Sequence, residues 1–140
     1  MDLIGVIVVG HGNFASELVS VSENILGKQK YLDTVSVRAG EGEHTLHNKL
    51  NELMSNMEID DVIILSDIFG GSLSNMCLYF AKNKGHIAVV TGVNIPMVLK
   101  VLSYRERVVG LNELVSVACK GGKDGIVDAC GILENNDGAN

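Results

Sequence analysis

The chain has 140 residues, 46% hydrophobic and 20% charged, which suits one folded domain and excludes a disordered one. Its net charge of −6 argues against a broad nucleic-acid surface, which needs clustered Lys and Arg. With 4% aromatics and no Trp, the core must come from Val, Ile, Leu and Met.

Leu3 to Val9 is a nearly continuous apolar run, the pattern of a strand buried on both faces of a parallel sheet. Gly10-His11-Gly12 closes it and leaves one imidazole between residues that have no side chain to cover it. Asn13 reads as an N-cap, and Phe14, Leu18, Val21 and Ile25 as the inward stripe of the helix that follows, with Gly27 at its end. Leu32 to Val37 is a second strand, closed by Ala39-Gly40. From Glu43 onward, Leu46, Leu50, Leu53 and Met57 mark a second helix.

Val62 to Leu65 is the third strand, stopping at Ser66-Asp67 before Ile68-Phe69-Gly70-Gly71-Ser72. Leu73, Met76, Cys77 and Phe80 mark a third helix ending near Gly85, and His86 to Thr91 a fourth strand. Pro96 suits the first turn of a fourth helix, with Met97, Val101 and Leu102 inward. Leu111, Leu114, Val115 and Ala118 repeat the helical spacing, and Gly121-Gly122 is expected to break that helix. Asp124 to Leu133 is expected to hold a short final strand. Residues 1–133 then form one domain and 134–140 a polar, frayed tail.

Cys77, Cys119 and Cys130 are widely spaced without a CxxC pair, which predicts reduced thiols of a cytoplasmic protein, not a disulfide framework or zinc site. No signal peptide is expected, and no apolar run approaches the ~18 residues of a membrane span.

Strands alternating with helices predict an α/β fold: a doubly wound, mainly parallel sheet with helices on both faces. Ligands of such sheets bind beyond the carboxyl ends of the strands, where the winding direction switches. A flavodoxin-like order would make strands one and three neighbours there, bringing His11 and Asp67 to one crevice.

A carboxylate that accepts from one imidazole nitrogen fixes the tautomer and leaves the other nitrogen as a nucleophile. Gly70, Gly71 and Ser72, just before a helix, can aim amides and a hydroxyl at an anion. His11, Asp67 and this cradle are therefore the candidate site for a phosphohistidine, with no metal or cofactor of its own. Gly10-x-Gly12-x-x-Ala15 also matches a dinucleotide fingerprint. The acidic residue it requires is missing at Val37-Arg38-Ala39, leaving only an NADP-type contact by Arg38. An aspartyl-phosphate receiver using Asp67 lacks the clustered carboxylates that hold its cation. His44 and His47 with Glu41 and Glu43 read as a solvated helix start rather than a metal site. His86 reads as structural, and Cys77 and Cys119 as core residues.

Gly10-His11-Gly12, Asp67-Ile68-Phe69-Gly70-Gly71-Ser72 and Gly92-Val93-Asn94-Ile95-Pro96-Met97, in this order, resemble the enzyme IIA component of the mannose family of bacterial sugar phosphotransferase systems. The likeness runs from the first strand to about Gly125. It implies a cytoplasmic phosphocarrier that takes phosphate from HPr on His11 and passes it to a IIB component, with IIC and IID in the membrane. It further implies that Asp67 bonds the nearer ring nitrogen, that the farther one carries phosphate, and that Gly71 and Ser72 hold it. Family members are homodimers in which an antiparallel C-terminal strand completes the partner's sheet. The family loop commonly reads Asp-Thr-Trp-Gly-Gly-Ser-Pro, and this chain departs from it at Ile68, Phe69 and Leu73. An NADP-type dinucleotide-binding module and a non-catalytic regulatory domain are the alternatives.

Overall fold

Apolar, β-branched runs and, at Leu32–Val37, an alternating run form the strands of this chain. In the computed structural model, which describes residues 3–68 and 70–138, they are β1 (Gly5–His11), β2 (Leu32–Val37), β3 (Val62–Ser66) and β4 (Ile87–Thr91). The helices are α1 (Phe14–Leu26), α2 (Glu43–Met57), α3 (Ser72–Ala81), α4 (Ile95–Tyr104), α5 (Leu111–Asp124) and α6 (Ala129–Gly138). All strand pairs are parallel, in the order β2-β1-β3-β4. The expected α/β architecture and the adjacency of strands one and three are both present.

The pleat sends alternate residues of β1 into two cores. Val6 and Val8 join Ile63 and Leu65 under α1, α4 and α5, while Ile7 and Val9 join Val62 and Ile64 under α2 and α3. Each such side chain, fully removed from water, contributes about 1.5–3 kcal/mol.

Four local expectations need correction. The buried stripe of α1 is Ala15, Leu18 and Ser22, whereas Phe14, Val21 and Ile25 are exposed. Small residues let α1 sit close to the sheet and α4, and the buried Ser22 hydroxyl is satisfied by the Leu18 carbonyl at 2.8 Å. Asn13 stands at the cap position, but its side chain makes no capping bond; its carbonyl accepts from Glu17 N–H at 3.0 Å.

Gly121-Gly122 does not break α5, which continues to Asp124. A Cβ at Gly121 would lie 2.7 Å from Lys100 Cγ, and one at Gly122 2.8 Å from Met97 Cε. These glycines are where α5 presses against α4, and that packing offsets their poor helix propensity of roughly 1 kcal/mol each.

The final strand expected within Asp124–Leu133 is absent, and Ala129–Gly138 is helical, including the start of the tail expected to fray. A strand needs a neighbouring edge for its amides, while a helix satisfies them within itself. Among the described residues, no pairing places this segment beside β2 or β4.

Candidate functional site

His11 is the last residue of β1, not part of a loop beyond it. It follows Ile7 and Val9 on the α2/α3 side of the sheet, pairs in register with Val37 of β2, and has a 59% exposed side chain. Asp67 directly follows β3, one residue past Ser66, which is in register with Val9. The parallel pairing of β1 with β3 therefore puts the two residues side by side at the carboxyl end of the sheet.

Asp67 Oδ2 accepts the His11 backbone N–H at 3.0 Å and lies 2.7 Å from His11 Nδ1. One carboxylate oxygen thus holds the main chain and the ring of the same residue. Burial pushes the Asp67 carboxyl up, but the His11 amide, then its ring, and the Ile68 amide bring it below the ordinary 3.8. Asp67 is therefore ionised at neutral pH and can only accept. The 2.7 Å contact then requires the proton on Nδ1, and the neutral ring carries its free lone pair on Nε2. Gly10 completes the arrangement, since a Cβ there would meet Phe14 Cδ1 at 2.9 Å and Asp67 Oδ2 at 3.6 Å.

Gly70 and Gly71 have φ of +83° and +89°, a left-handed backbone that other residues rarely adopt, and they lead directly into α3 at Ser72. Ser72 borders the same open cleft of about 450 Å³ as His11, Gly12, Arg38 and Glu41. Gly70 and Gly71 are not among the residues bordering it. Phe69 lies outside the described residues, and Ile68 is exposed. The free amides at the starts of α1 and α3 give this end of the sheet a positive bias suited to an anion.

The third motif is structural. Asn94 caps α4 by accepting from Met97 N–H at 2.9 Å and donates to the Gly122 carbonyl at 3.1 Å, while Val93 N–H bonds the Ser66 carbonyl at 3.0 Å. It ties β4, α4 and α5 together and bears on the site only through β3.

His47 packs its ring edge against Phe80, with centroids 5.0 Å apart, and His47 Nδ1 lies 3.0 Å from Asn51 Nδ2. Among the described residues, no group of three or more His, Cys, Asp and Glu side chains is gathered to hold a metal. Cys77 is in the core, its thiol pushed up to about 11 by burial and by the Asp67 charge. Cys119 is half-buried and Cys130 exposed. Arg38, noticed in the sequence only as a dinucleotide contact, borders the His11 cleft. Its position one residue past the strand that pairs with β1 was the available signal.

A doubly wound α/β domain, with an ionised aspartate orienting an exposed histidine at the switch point, is the class this geometry defines. The family model EIIA-man, PTS system fructose IIA component, matches residues 5–118. The chain belongs to this family of phosphotransferase-system IIA components. It is 37% identical over 105 residues to the PTS system fructose-specific EIIA component of Bacillus subtilis, covering 74% of this chain and 72% of that protein. It is 32% identical over 124 residues to the PTS system mannose-specific EIIAB component of Escherichia coli K12. That match covers 88% of this chain but spans 38% of the relative's length. The crystal structure of phosphotransferase system component EIIA from Streptococcus agalactiae superimposes with a TM-score of 0.82 at 26% identity, covering 90% of this chain and 97% of that one. Among the described residues, no helix is long and apolar enough to cross a membrane.

Proposed function

We propose that the chain is a phosphohistidine relay of a sugar phosphotransferase system. His11 accepts a phosphoryl group from phospho-HPr and delivers it to a IIB component, in the cytoplasm and upstream of membrane IIC and IID components. The observation that carries this reading is the 2.7 Å contact between His11 Nδ1 and the ionised Asp67, which leaves Nε2 as the nucleophile. In the transfer, the donor's P–N bond breaks as a bond from phosphorus to Nε2 forms. The donor imidazole recovers its lone pair, and the positive charge moves to the His11 ring, whose Nδ1 proton stays on the bond to Asp67.

The transition state is loose, so positioning and electrostatics supply the catalysis. Asp67 stabilises the charge growing on the ring, while Gly70, Gly71 and Ser72 offer backbone amides and a hydroxyl to the phosphoryl oxygens. The 59% exposure of the His11 side chain supports access by two successive protein partners. A second copy of the chain, as a homodimer, is part of this reading, tested by its mass in solution.

Labelling with radioactive phosphoenolpyruvate, enzyme I and HPr tests the proposal. Wild type should acquire an acid-labile, base-stable phosphate, His11→Ala none, and Asp67→Ala should transfer about 10²-fold more slowly while remaining folded. Normal labelling of His11→Ala would remove the assignment. A chain that binds HPr but takes no phosphate would be a regulatory domain.

A further inference from the structure

The cleft must accommodate a phosphoryl group whose charge, near −2, arrives beside the ionised Asp67. Of the described residues bordering it, Arg38 is the cation and Glu41 the carboxylate. Glu41 is already engaged: its Oε2 accepts from Lys49 Nζ at 2.8 Å, and Lys49 also donates to the Ser36 carbonyl at 3.2 Å. The other Glu41 oxygen accepts the Arg38 backbone N–H at 3.3 Å, and the Glu41 amide returns a bond to the Arg38 carbonyl at 3.1 Å. These bonds brace the turn after β2 and fix the Arg38 backbone at the lip of the cleft.

The Arg38 guanidinium is not so engaged. None of the ion pairs among the described residues includes it, and the residue is exposed. Val37 stands opposite His11 in the ladder, and Gly12 N–H bonds the Val37 carbonyl at 3.1 Å. Arg38 is therefore the first residue past a strand about 4.8 Å away, next to Gly12 and within an arginine side chain's length of the imidazole. Arg38 also borders the neighbouring depression between β2 and α2, so the residue stands on the ridge dividing the two.

We propose that Arg38 turns onto the phosphorylated His11 and forks two N–H groups onto its phosphoryl oxygens, stabilising the phosphorylated state. A planar guanidinium suits bidentate phosphate contact, which a lysine ammonium cannot reproduce. The proposal rests on the reading of His11 as phosphoacceptor. It adds the residue that sets how far the relay equilibrium lies toward this protein.

The test is the equilibrium constant for phosphoryl exchange with HPr, from the phosphorylated fraction of each protein, for wild type, Arg38→Lys and Arg38→Ala. A partner-free donor, phosphoramidate, is run in parallel. Its P–N bond breaks as the bond to Nε2 forms, and ammonia leaves with its own three hydrogens. Arg38→Ala should lower the exchange constant about tenfold or more, with Arg38→Lys between. It should also shorten the life of the phosphoramidate-made phosphoprotein and shift its ³¹P resonance. Slower exchange with HPr at an unchanged constant, with the same ³¹P shift, would make Arg38 a docking residue and overturn the proposal. A wild type phosphorylated at His11 with an Arg38→Ala constant within twofold of it overturns this proposal alone. A wild type that takes no phosphate on His11 from either donor overturns the reading of the site, and this proposal with it.

Discussion

Replacing Arg105 with methionine removes the charged side chain that is 4% exposed among the described residues. Its Nη1 donates to the Ile4 carbonyl at 3.2 Å and the Tyr31 carbonyl at 3.3 Å, and its Nη2 to the Lys30 carbonyl at 2.6 Å and Gln29 Oε1 at 3.4 Å. One guanidinium thus ties the turn before β2 and the start of β1 to the end of α4. In the variant, the Tyr31 carbonyl keeps the Val6 N–H at 2.9 Å, and the half-buried Gln29 side chain can turn to water. The buried Ile4 carbonyl loses this donor, while the carbonyl of the exposed Lys30 can turn to water. At about 1–3 kcal/mol for a buried group left unsatisfied, with the charge-assisted bonds lost and what methionine recovers by removing a desolvated charge partly cancelling, the loss is about 2 kcal/mol.

That is a sizeable share of the roughly 5–15 kcal/mol typical of a domain, and corresponds to a Tm lower by about 7 °C. Urea unfolding followed by circular dichroism measures it, with an unchanged slope expected. Arg105→Lys should lose about half as much, because an ammonium cannot span carbonyls from separate segments. The phosphorylation proposed for His11 should be unaltered at 25 °C, since Arg105 lies at the opposite end of β1. A loss below about 0.5 kcal/mol for Arg105→Met would refute the clamp.

Gly125→Ala should destabilise by about 1–3 kcal/mol, because its Cβ would lie 2.3 Å from the Pro96 ring. Gly85→Ala, whose Cβ would meet nothing within 4 Å, should be neutral or slightly stabilising in the same urea series. Cys130 should react with a thiol reagent at pH 8 well before Cys77, whose thiol burial and the Asp67 charge push up to about 11; equal rates would contradict the buried core position. Asp67 is held below 3.8 in the folded state, so on acidification the unfolded chain binds its proton first. Its stabilising contribution is complete above 3.8 and disappears as pH falls through the lowered value. The stability gap between wild type and Asp67→Asn should therefore narrow from about pH 5 to about pH 2.

The sequence alone was enough for the elements whose signal is local. Leu32–Val37 and the start of the second helix at Glu43 came out at their observed positions, because alternation and helical period are written into adjacent residues. The pairing of His11 with Asp67 was also legible. Both residues end apolar runs, and a doubly wound sheet gathers such ends at one edge.

Tertiary packing decided the rest. Phe14, Val21 and Ile25 form a credible apolar stripe, yet α1 buries Ala15 and Ser22 because close approach to α4 and the sheet favours small side chains. Gly121 and Gly122 look like a helix stop until the proximity of Lys100 and Met97 is known. The stretch after Asp124 has strand-like residues but pairs with no edge among the described residues, so helix formation satisfies its amides. Arg105 and Arg38 show the same division. Nothing adjacent in sequence reveals that one bonds backbone carbonyls up to 101 residues away, while the other joins no ion pair among the described residues and borders the His11 cleft. Periodicity and chain order are properties of neighbours along the chain, so sequence carries them. Which face is buried, and which cation meets which anion, depends on surfaces that exist only once distant segments have closed on each other.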